Sequence, residues 1–131
     1  MDKLLRGWLD LRNYAHFAHI NVRGGHFFTL HHELMKLYDE ALEHADEIAE
    51  RIKQLNPDEI VQMSGSTIEY SGADIRTTIN DIIYLMDNLR IMQNSIYNDT
   101  AVNGDYVTND LMVQLSKRTD FWKWQFTEFL R

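Results

Sequence analysis

The chain contains no cysteine, so neither a disulfide nor a thiolate metal site can form. It has one proline, Pro57, and six glycines, so little in it interrupts long helices. Its longest apolar run is Ile82-Ile83-Tyr84-Leu85-Met86, far short of the roughly 20 residues of a membrane-spanning helix. Positive charge is scarce: 13 Lys and Arg face 20 Asp and Glu, for a formal net charge of −7. Nucleic-acid binding runs on phosphate neutralisation, so an acidic chain with no basic segment disfavours DNA and favours cations. The first residues lead straight into amphipathic sequence, without the basic and apolar stretches of a secretory leader. With no disulfide to form, that start fits a cytoplasmic location.

The 131 residues suit a single domain, 1–131, and an apolar content of 44% suits a packed core. Apolar residues recur at helical spacing in four stretches. The first carries Leu4, Trp8, Leu11, Ala15, Ala18 and Val22, with Asp2 as its expected cap. Asn21 to Gly25 breaks it. The second runs from near His26, through Leu34, Ala41, Ala45 and Ile48, to Asn56-Pro57. The third follows a Ser71-Gly-Ala-Asp74 capping-box pattern and carries Ile75, Ile79, Ile82, Met86, Leu89 and Ile96. After the turn signal Asn103-Gly104, Asp105 or Thr108 caps a fourth helix with Leu111, Leu115, Trp122, Phe126 and Phe129. The expected fold is all-α, a four-helix bundle with a short helical turn at Asp58 to Met63 in the long connection between helices 2 and 3.

All six histidines, at 16, 19, 26, 31, 32 and 44, lie in the first third of the chain. The second helix carries a further stripe beside its core face: His31, Met35, Leu42, Asp46, Ala49 and Glu50. His31 and Asp46 are about 22 Å apart along such a helix, so one copy cannot close them on one ion. Two copies packed antiparallel about a two-fold can, with His31 of one opposing Asp46 and Glu50 of the other, twice over. The axis would pass near Asp39 and Glu40. His19, near the end of the first helix, falls close to His31. Two imidazoles and two carboxylates suit iron or zinc better than magnesium or calcium. The plainer readings are a hydrogen-bonded structural histidine and a solvated Asp46–Glu50 pair. Glu47 and Arg51 read as an i,i+4 ion pair, and His26 and His32 as surface residues. No glutamate has a histidine three positions later, which argues against a di-iron site inside one bundle.

The stretch His19-Ile-Asn-Val-Arg-Gly-Gly-His-Phe-Phe-Thr-Leu-His31, followed by Asp46-Glu-Ile-Ala-Glu50-Arg51, resembles the signature of the Dps family, the ferritin-like miniferritins. Asp105-Tyr-Val-Thr-Asn-Asp110-Leu111 and the region of Trp124 resemble that family's last helix, so the likeness spans nearly the whole chain. The resemblance implies a hollow dodecamer that oxidises ferrous iron at two-fold interfaces, typically with hydrogen peroxide. The ferric mineral would be stored inside, protecting against oxidative damage. It implies His19 and His31 as iron ligands from one subunit and Asp46 and Glu50 from its partner, with zinc as a substitute metal. It also implies acidic pores at the start of the fourth helix, for which Asp105 and Asp110 are candidates; Asp105 reads equally well as a helix cap.

Two positions depart from the family pattern. Met35 stands where an aspartate is usual, four residues after the second histidine, and Ile20 where a tryptophan is usual. A thioether in place of a carboxylate is expected to weaken the iron site. The alternative function is therefore a shell with an impaired ferroxidase site, acting as a slow metal buffer or scaffold. A third reading is an unrelated helical interaction module.

Overall fold

The computed structural model describes residues 1–72 and 74–131. Four helices carry the fold: α1 (Asp2–Asn21), α2 (Phe27–Leu55), α3 (Ile75–Asn103) and α4 (Tyr106–Phe129). No strand occurs among the described residues, and no helix among them is long and apolar enough to cross a membrane. The brief links α1–α2 and α3–α4 make two antiparallel hairpins. α1 packs on α2 and α3, and α4 packs on α3 and α2.

The apolar stripes explain the packing. Leu4, Trp8, Leu11, Ala15 and Ala18 of α1 meet Leu34, Ala41, Ala45 and Ile48 of α2 in one core with Ile79, Ile82, Met86 and Leu89 of α3. Each fully buried large aliphatic side chain contributes about 1.5–3 kcal/mol. On α4 the core face is turned slightly from the expected stripe. Met112 and Thr119 are buried, whereas Leu111 and Phe129 are only partly so. The α1–α3 approach is close at Gly7, where a Cβ would lie 2.8 Å from Leu89 Cδ2.

Two helix starts differ from expectation by small shifts, and a third takes the first of its two expected caps. Met1, not Asp2, holds the cap position of α1, and Asp2 sits in the first turn, where its charge favours the helix dipole. Asp74, not Ser71, caps α3, its carboxylate accepting from the Thr77 backbone N–H at 2.8 Å. Asp105 caps α4 by accepting from Thr108 N–H at 3.0 Å. Before it, Gly104 ends α3 at φ +82, a left-handed conformation that glycine adopts without strain.

The short helix expected at Asp58 to Met63 is absent: beyond a turn at Pro57 and Asp58, the described part of the connection has no helix. Its polar groups are bound outward instead, and a turn that short gains too few bonds of its own to nucleate. Lys53 Nζ donates to the carbonyls of Pro57 at 2.6 Å and Glu59 at 2.5 Å. Further on, Arg6 of α1 donates to the Ser64 carbonyl, and Ser66 donates to Asp10 at 2.5 Å. The Tyr14 and Tyr70 rings then pack 5.3 Å apart. The connection thus runs up the side of α1, strapped to it at successive turns.

Candidate metal centre

The α1–α2 hairpin brings His19 and His31 level, because both lie within about one turn of the intervening bend. Their rings stack with centroids 3.7 Å apart and planes at 16°. The last carbonyls of a helix lack intrahelical partners. The His19 carbonyl, in the last turn of α1, accepts instead from His31 Nδ1 at 2.8 Å. The exchange is reciprocal: His19 Nδ1 donates to the His31 carbonyl at 2.7 Å. A carbonyl can only accept, so both rings carry a proton on Nδ1, which in the neutral ring leaves the Nε2 lone pair free. Neither Nε2 has a hydrogen-bond partner among the described residues. Fixing one ring nitrogen on a carbonyl is how metal-binding histidines are oriented. Phe27 stacks on the far side of His31 at 4.9 Å, and Tyr38 meets His19 edge-on at 5.3 Å. His16 stacks on Tyr38 at 4.5 Å rather than joining His19 as a second nitrogen donor.

Asp46 and Glu50 lie on α2 roughly four and five turns beyond His31. Both are exposed and carry no hydrogen bond among the described residues. Within one protomer, no three His, Asp or Glu side chains of the described residues come close enough to hold an ion. The structure therefore unites the two histidines and leaves the two carboxylates apart from them. Met35 is partly buried one turn after His31. His26 and His32 are exposed.

The bundle interior holds a polar network that a Glu-x-x-His pattern does not describe, because its spacing is i,i+4. Glu40 turns inward. It accepts from Arg118 Nη2 at 2.7 Å and Nε at 3.0 Å, Trp122 Nε1 at 3.1 Å and His44 Nε2 at 3.0 Å. Glu40 thus leaves the outer stripe, and Asp39 alone of the two remains exposed there. His44 Nδ1 donates to Glu47 at 3.0 Å. With a carboxylate at each nitrogen, His44 is an imidazolium, and its ring meets Trp8 edge-on at 4.9 Å. Burial opposes the Glu40 charge, but hydrogen bonds from His44, Arg118 and Trp122 outweigh it and draw its pKa down to about 2. Burial likewise opposes the His44 charge, yet the bonds to Glu40 and Glu47 raise its pKa above the ordinary value. Beside this group, buried Gln93 accepts from Trp8 Nε1 at 3.2 Å and donates to Ser116 at 3.2 Å. These groups satisfy one another, whereas Arg12 Nε is buried with no hydrogen-bond partner among the described residues.

Arg51 does not pair with Glu47. It donates to Asp105 at 2.8 Å and to Thr108 at 2.9 Å, tying α2 to the start of α4. The hydroxyl and backbone N–H of Thr108, with Arg51 beside them, hold the Asp105 carboxyl below its usual pKa. Asp105 is therefore a helix cap with its charge matched, while Asp110 stays exposed on α4.

The ferritin-like domain family matches residues 1–131. The chain is similar to a DNA protection during starvation protein of Brevibacillus brevis, 27% identical over 99% of this chain and 91% of that one. Its fold is that of Dps from Staphylococcus aureus, with a TM-score of 0.90 at 22% identity over 99% of this chain and 91% of that one. Dps from Listeria innocua, in a crystal soaked with zinc, superposes with a TM-score of 0.85 at 26% identity, covering 98% of this chain and 94% of that one. The chain belongs to the ferritin-like proteins, as a member of their Dps family.

Proposed function

We propose that this protein is an iron-oxidising and iron-storing Dps shell, a cytoplasmic homo-dodecamer whose two-fold interfaces join His19 and His31 of one subunit to Asp46 and Glu50 of another. Iron storage and protection are the general business of the family. The observation that carries the finer reading is the pair of Nδ1-fixed imidazoles whose Nε2 atoms carry no hydrogen bond among the described residues, with His31 on the α2 stripe that ends in two unpartnered carboxylates. Neutral imidazole nitrogens with carboxylates suit ferrous iron as substrate and accept zinc as a substitute. The four side chains would bind and hold the ion. The oxidant, by the family's habit hydrogen peroxide, would take the electrons, and the chain need supply no acid or base at that step.

Exposed Asp110, with Asp105 beside it, is proposed to line the route by which cations enter; the Arg51 contact makes Asp105 the weaker attractor. DNA is not a proposed partner, because a shell of chains each at −7 repels phosphate. A gel shift by pure protein at moderate salt, without divalent metal, would overturn that point.

The decisive experiment adds ferrous iron anaerobically, then peroxide, to protein of measured mass. The His31→Ala, Asp46→Ala double variant should stay assembled and lose fast ferric formation. Oxidation at the wild-type rate would end the assignment. Partly buried Met35, one turn from His31 where the family usually has aspartate, favours a second reading: an impaired site that buffers metal slowly. A large gain in rate on Met35→Asp supports that reading, and an unchanged rate removes it.

A further inference from the structure

Phe28 is 81% exposed at the start of α2, a large aromatic with its outer face in water. At the other end of the same helix lies a groove of about 460 Å3, lined by Ala49, Glu50, Lys53, Ile60, Val61 and Met63. Ile60 on its rim is 77% exposed. Phe28 cannot fill this groove in its own chain, since 21 residues of helix, about 32 Å, separate it from Ala49. Yet the two features share one face. Phe28 and Asp46 stand 18 residues apart, five whole turns, so they lie on one line along α2, with Met35 and Leu42 about 40° or less from it.

We propose that Phe28 of one subunit plugs this groove on a second copy and so sets the register of the two-fold. The proposal rests on the antiparallel reading of the metal centre and deepens it. In such a pair, each step from His31 back toward the start of α2 is matched by an equal step beyond Asp46 and Glu50 on the partner. Phe28, three residues before His31, comes level with the partner's Ala49 and the partner's Lys53, the helical wall of the groove. The same register sets Met35 against the partner's Leu42, an apolar contact nearer the axis. Met35 is then a packing residue of the interface.

Charge favours the antiparallel sense. With Glu40 turned inward and Glu47 paired to His44, residues 39–50 of α2 still expose Asp39, Glu43, Asp46 and Glu50 and hold no Lys or Arg, whereas residues 27–36 hold one Glu, one Lys and two His. A parallel pair stacks acid on acid; an antiparallel pair sets acid against the histidine end. Seating a phenyl ring removes of the order of 150 Å2 of apolar surface from water, twice per dimer.

The absence of native cysteine permits a clean test. The Phe28→Cys, Ala49→Cys variant treated with a short bis-maleimide should give covalent dimers on a denaturing gel, and Phe28→Cys alone should not. Phe28→Ala, at an exposed position that leaves the core intact, should raise at least 10-fold the concentration at which half the protein is assembled. Ferrous oxidation in that variant should recover at high protein concentration. Linkage confined to single chains, or none in assembled protein, overturns the proposal, as does unchanged assembly of Phe28→Ala. The two readings fail separately. Linkage without iron oxidation keeps the plug and removes the ferroxidase; oxidation dependent on His31 and Asp46 without linkage does the reverse.

Discussion

The middle of the bundle and the outer face of α2 are built from the same residue types and do opposite things with them. Inside, Glu40 and His44 find Arg118, Trp122 and Glu47, so the charges are matched and hydrogen-bonded. Outside, His19 and His31 spend one nitrogen each on a backbone carbonyl and keep the other bare, and Asp46 and Glu50 have no partner among the described residues. A carboxylate beside an imidazole is structural where the protein completes its coordination and available for chemistry where it does not. Closure distinguishes the two regions, not composition.

Loss of His31 strikes the open region and should have the largest effect. His31→Ala should slow ferric formation by about 100-fold or more, since even groups that merely orient a metal ligand are worth about 10- to 100-fold. Its thermal midpoint should move little by comparison. The closed region should respond in the reverse sense. Glu40→Gln should cost about 3 kcal/mol of stability, measured by urea unfolding, because Arg118 and His44 lose their shared counter-charge in a partly buried site. Ferrous oxidation by that variant should match the parent. A slow Glu40→Gln enzyme with unchanged stability would collapse the contrast.

Acid and base titrations sharpen it. The folded pKa of Glu40 is depressed, so its stabilisation is present above the ordinary carboxylate value and is lost as pH falls from 4.5 towards about 2. The folded pKa of His44 is raised, so its contribution is complete below about 6.5 and fades as pH rises through the raised value. Wild-type protein should show both slopes in its unfolding free energy; Glu40→Gln should lack the acid one. The smallest expected effect is at the α4 cap. Asp105→Ala should cost about 1 kcal/mol, because the Thr108 N–H loses its acceptor and Arg51 its counter-charge. A change in iron uptake larger than that destabilisation explains would give Asp105 a place in the entry route.

The four helices were legible in the sequence because their stripes are long and regular. All six apolar positions read on the first helix are buried, from Leu4 to Val22. Prediction weakened where one side chain had two available partners. Arg51 faced Glu47 one turn away and Asp105 across the bundle, and local spacing shows only the first. Ser71 and Asp74 both offered a capping oxygen, and the chain uses the later one. A helical turn was expected at 58–63, but Lys53 holds the carbonyls of Pro57 and Glu59 at its start, and Arg6 and Asp10 hold the chain just beyond it, at Ser64 and Ser66.

Sequence alone determined the helices, the acidic surface, the absence of thiol chemistry and the separation of His31 from Asp46 along one helix. These follow from composition and from the fixed rise of an α-helix, which hold whatever the chain packs against. Tertiary structure decided which carboxylates and imidazoles are consumed and which are left over. Hydrogen-bond partners from distant helices compete with near neighbours, and only the packed bundle sets the distances that settle that competition.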